Sequence, residues 1–165
     1  MYEFWFFLHI CSVLAFLACH GASMFVLYRI RGETDRGKIA DLIAFSGETT
    51  LPMYIALGAL VVTGVITGIT GDWFSTISGY PWSWPWIWAA ILVLLITVGL
   101  MTAFAKPYFK RITEACAVRP TGIPRKSDEE LRQLLRSPLA HWITAIGSVG
   151  LLVILWLMVY TPGRP

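Results

Sequence analysis

The chain has 165 residues, 56% of them hydrophobic and 14% charged, with a formal net charge of +3 and a mean hydropathy of +0.65. This is far more apolar and less charged than an ordinary soluble domain, which excludes a water-soluble globular enzyme, and nothing resembles a nucleic-acid module. Four apolar segments, about 4–28, 51–70, 86–105 and 139–160, each approach the ~20 residues a helix needs to cross a bilayer. The expected fold is all-α, an integral membrane four-helix bundle occupying residues 1–165 as one domain.

The first segment, FWFFLHICSVLAFLACHGASMFVLY, has no Lys, Arg, Asp or Glu but holds His9 and His20. Eleven residues bring the two histidines to nearly the same helix face, about 16 Å apart along the axis. Ionisable groups at such depth point to function. Ala15, Ala18 and Ala22 offer a small surface for a neighbouring helix. The start MYEF carries no positive charge and the apolar run exceeds a signal core, so a retained span is expected, not a cleaved leader. Cys11 and Cys19 in this span, and Cys116 further on, are read as small apolar side chains.

After RIRGETDRGK, the spacing of Ile39, Leu42 and Ile43 predicts a short helix along the membrane surface. Glu48, Thr49, Thr50 and Pro52 then mark a helix start. The second span has Gly64 and Gly68 in small-xxx-small spacing, suited to close helix packing or to a flat cofactor lying against it. Five of the eight tryptophans, Trp73, Trp82, Trp84, Trp86 and Trp88, crowd into residues 73–88. An aromatic belt at the outer interface accounts for them, and quinone stacking or partner docking uses the same residue type. The third span is uncharged and is expected to end at Lys106-Pro107. In SDEELRQLLR, Ser127 and Glu130 match a capping box, with Leu131, Leu134 and Leu135 on one face. Ser137-Pro138 opens the fourth span, and His141 lies in its first turn, where the helix dipole favours a neutral imidazole. The two halves echo each other as two hairpins packed side by side.

Four Lys/Arg residues follow the first span, eight follow the third, and Arg164 stands alone beyond the fourth. By the positive-inside rule both basic loops are cytoplasmic and the orientation is N-out/C-out. The expected location is a bacterial plasma membrane, with basic charge toward lipid headgroups.

Three functions fit these residues. A b-type haem needs axial ligands from different helices: His20 with His141 is the inner pair, and His9 with Met158 a possible His/Met pair on the outer side. Copper(I) suits the soft set His20, Met24, Met53 and Met101. A non-catalytic accessory subunit, packing in a homo-oligomer or against other membrane subunits, needs neither. No acid/base pair, nucleophile triad or phosphate loop is present, and intramembrane carboxylates of a proton-coupled transporter are missing.

The LH of FFLHICSVLAF, the TG of VVTGVITG, PWIWAAILVL, KPYFKRI and ILWLMVYTPG together resemble a bacterial family of four-span integral membrane proteins of unknown function. That family is similar to copper-resistance protein D and to the small membrane protoporphyrinogen oxidase. The resemblance implies a four-span fold and ties His9 to the first-helix histidine linked to haem in the oxidase branch. That oxidase carries a lysine within its third span, whereas this span is uncharged until Lys106.

Overall fold

A computed structural model describes residues 1–71 and 85–162; the tryptophan corner at Trp73, Trp82 and Trp84 lies outside the described residues. Six helices follow one another: α1 Tyr2–Ile30, α2 Arg36–Glu48, α3 Thr50–Thr70, α4 Pro85–Cys116, α5 Asp128–Leu135 and α6 Leu139–Tyr160. Four helical segments are long and apolar enough to cross a membrane, with α2 running almost directly into α3 and α5 leading into α6. Only 11–22% of the most apolar stretch of each is buried. Leu14, Phe25, Val62, Leu95, Leu152 and Val159 stand exposed, as expected for a surface whose solvent is lipid.

The bundle is built as two hairpins: α1 packs along α3, and α4 along α6. Glycines set how close the helices come. Gly150 of α6 has no room for a side chain because Thr97 of α4 fills that space. The expected small surface on α1 behaves otherwise: Ala15 and Ala18 are exposed, and α1 packs instead through the face bearing Phe16, His20 and Leu27.

The main core lies at one end, where α2 and α5 and most of the Lys and Arg residues are found; we call it the basic end. Ile39 and Ile43 of α2 and Leu131 and Leu135 of α5 are buried with Val26, Ile30, Tyr108, Ile112 and Ile143. The apolar face of α2 therefore packs on the bundle. Tyr108, 1% exposed, donates its hydroxyl to the Leu134 carbonyl at 3.2 Å. In the turn between α1 and α2, Glu33 accepts backbone N–H bonds from Asp35 at 3.1 Å and Thr34 at 2.9 Å, which hold its carboxyl below the usual range.

α4 differs from expectation, continuing through Pro107 to Cys116. Proline withdraws one backbone donor and crowds the preceding turn, but the turns beyond it bury Tyr108, Ile112, Ala115 and Cys116 in the core. That burial offsets the proline's cost. α5 is nucleated as its sequence implies: Ser127 Oγ accepts from Glu130 N at 3.2 Å, and Glu130 Oε2 accepts from Ser127 N at 2.9 Å. Ser127→Ala is expected to cost about 1 kcal/mol, read as a lower unfolding midpoint in detergent, whereas Ser127→Asp should retain the wild-type value. At the opposite end Trp86, Ile87 and Ala90 of α4 close on Leu157 of α6.

Candidate functional site

The two histidines of α1 serve different neighbours. His9 lies on α3: a Cβ at Gly64 would come within 3.0 Å of its Cε1. Its Nδ1 is 3.1 Å from the Leu60 carbonyl. A carbonyl only accepts, so Nδ1 carries the proton and Nε2 is left as the acceptor. Thr63, whose hydroxyl is 3.4 Å from the same nitrogen, completes the seat. His9 thus fastens α1 to α3, and its tautomer is the one a metal-binding imidazole would need.

His20 faces α6. It is 8% exposed and stacks on Phe16, with ring centroids 5.7 Å apart and planes 15° from parallel. A Cβ at Gly147 would lie 2.9 Å from its Nε2 and 3.7 Å from the Met101 methyl, so glycine is what admits the ring. Nε2 is buried and has no hydrogen-bond partner among the described residues. An unpaired buried polar atom costs on the order of 1–3 kcal/mol, a cost the imidazole carries where it stands.

His20 lines a cavity of about 380 Å³ between the two hairpins, within the size range of small-molecule sites. Met24, Met53 and Met101 line the same cavity, so all four members of the soft donor set meet there, from α1, α3 and α4. Ser148 of α6 donates to the Met24 sulfur at 3.9 Å. One wall is polar: Ser46 donates to Ser23 at 3.2 Å, and behind them Thr49, 3.1 Å from the Ser23 hydroxyl, donates to the Ser46 carbonyl at 2.9 Å. Lys106 and Lys110 of α4 line it toward the basic end.

His141 is exposed and does not line the cavity. It lies six residues before Gly147, about 9 Å along α6 and some 120° around it, so it is not brought to His20. Met158, the outer partner considered for His9, is exposed on α6. Among the described residues, no group of three or more His, Cys, Asp or Glu is placed to hold a metal ion. The donors present fit an imidazole–thioether set, not a bis-histidine one.

Several site residues were not anticipated. The Ser23–Ser46 wall and the two lysines on the cavity face depend on how the hairpins meet. Gly147 and Gly150 did carry a signal, since with Ala145 and Ser148 they form a run of small residues in the fourth span, the composition of a close helix contact. Compared with protein-family models, curated proteins and solved structures, the chain matches none.

Proposed function

We propose that this multi-pass membrane protein holds a lipophilic redox group, b-type haem, in the cavity between its hairpins, as an electron-transfer component. The observation that carries the reading is His20, a buried imidazole whose Nε2 has no hydrogen-bond partner among the described residues and whose ring lines the cavity together with Met24, Met53 and Met101. A haem bound there would supply one-electron chemistry. The chain's own contribution would be the His20 imidazole to hold the group, the thioethers of Met24 and Met101 lining the same cavity, and a largely apolar surround that would tune the potential. The distribution of Lys and Arg supports a cytoplasmic basic end in a bacterial plasma membrane.

Copper(I) is the second reading, favoured by the three thioethers around one imidazole. Purified protein is expected to show a reduced-minus-oxidised haem b band that disappears in His20→Ala and persists in His141→Ala. Bound copper, lost on changing Met24 and Met53, would replace haem by the second reading. Colourless protein free of iron and copper would overturn both and favour an accessory role, which co-purification with a larger complex would test.

A further inference from the structure

The cavity is a two-ended space. Its deep end is lined by Leu57, Leu94 and Ile154; its other end by Lys106, Lys110 and Thr113. Residues 94, 98, 102, 106, 110 and 113 follow helical spacing down one face of α4, so the apolar wall passes directly into the basic rim. Both lysines are exposed. Lys106 has no hydrogen bond or ion pair among the described residues, and Lys110 meets only Glu114, at 3.9 Å on the outer surface. No Asp or Glu is among the residues lining the cavity. One ammonium without a counter-ion and a second held only by a long, exposed ion pair, at the rim of a largely apolar space, are complementary to an apolar molecule that ends in an acid. The hydroxyls of Thr50 and Thr113, which donate to the Ser46 and Phe109 carbonyls, line the same cavity and offer it only acceptor lone pairs.

We propose that the cavity takes an amphiphile with an acidic end group, its carboxylate or phosphate held by Lys106 and Lys110 and its apolar body lodged between the hairpins. This rests on the cavity being the ligand site argued above, but not on the ligand being redox-active. Haem, through its carboxylates, and an anionic phospholipid share this chemistry.

The full chain, extracted from membranes and exposed to vesicles of phosphatidylglycerol or phosphatidylcholine, separates the sources. Haem is read by its absorbance per protein, lipid by native mass spectrometry. Retention of the acidic occupant is expected to fall at least about tenfold in Lys106→Gln/Lys110→Gln, since charge-assisted hydrogen bonds are lost. It should fall similarly in Leu94→Trp, which fills the deep end. Lys106→Arg/Lys110→Arg should retain it, as should Arg119→Gln/Arg125→Gln, which removes the same charge from exposed positions off the cavity. Phosphatidylglycerol retained without any haem band would defeat the redox reading and leave this proposal standing. Equal retention of phosphatidylcholine, an unaffected lysine variant, equal loss in the Arg119/Arg125 control, an unaffected Leu94→Trp, or no acidic occupant on the wild type would each overturn it.

Discussion

Gly147→Leu is expected to destabilise the bundle by about 1–3 kcal/mol, the range for overpacking a filled contact, and to empty the cavity site together with it. Even a methyl group at this position would lie 2.9 Å from His20 Nε2 and 3.2 Å from its Cε1, and the ring cannot slide sideways while stacked on Phe16. The ring must therefore swing into the cavity or the hairpins must part. Unfolding midpoints in detergent should fall by about 2–4 °C for each kcal/mol in a chain of this size. The decisive comparison is the double variant. His20→Ala makes room for the new side chain, so Gly147→Leu/His20→Ala should be markedly more stable than the sum of the two single losses predicts. Strict additivity would mean that the histidine does not sit on this glycine. The occupant's signal should vanish in both variants, because one displaces the imidazole and the other removes it.

The second large effect is expected at the basic end. Arg36, in the first turn of α2, reaches across to three elements: its guanidinium donates to the Ala115 carbonyl at 2.5 Å, to the Lys126 carbonyl at 2.9 Å and to the Asp128 carboxylate at 2.6 Å. It thus neutralises the carbonyl end of α4 and ties the start of α5 to α2. Arg36→Ala should cost about 2–3 kcal/mol, discounted because Asp128 is itself largely exposed. It should also speed proteolysis within residues 117–127, the connection held by these bonds. Arg36→Lys should recover little, since an ammonium cannot present the planar fork that serves three acceptors at once. Wild-type stability and protease resistance in Arg36→Ala would show that apolar burial of Ile39, Ile43, Leu131 and Leu135 suffices by itself.

These two residues also mark where the sequence is readable. Arg36 appears in the chain as one more basic residue of a loop, and its role depends on α4 continuing past Pro107 to bring the Ala115 carbonyl within reach. That continuation was illegible because local chemistry opposes it and only burial against α2 and α5 reverses the balance. The Ser127–Glu130 box, by contrast, needs only residues within one turn, and it forms as read. His9 and His20 fall between the extremes. Their shared helix face follows from spacing, yet one meets Gly64 of α3 and the other Gly147 of α6, because a single face of α1 is divided between two neighbours at different depths.

The sequence by itself determined that the chain forms four membrane-length helices and two short amphipathic ones, since length, apolar periodicity and caps are properties of neighbouring residues. It also marked His20, Met24, Met53 and Met101 as a set by depth. Only the tertiary structure decided that these four line one cavity while His141 stays outside it, and that Lys106 and Lys110 stand at its rim. Depth follows from counting residues along an axis; rotation about that axis, and so which side chains meet, is set by where glycine lets two helices approach.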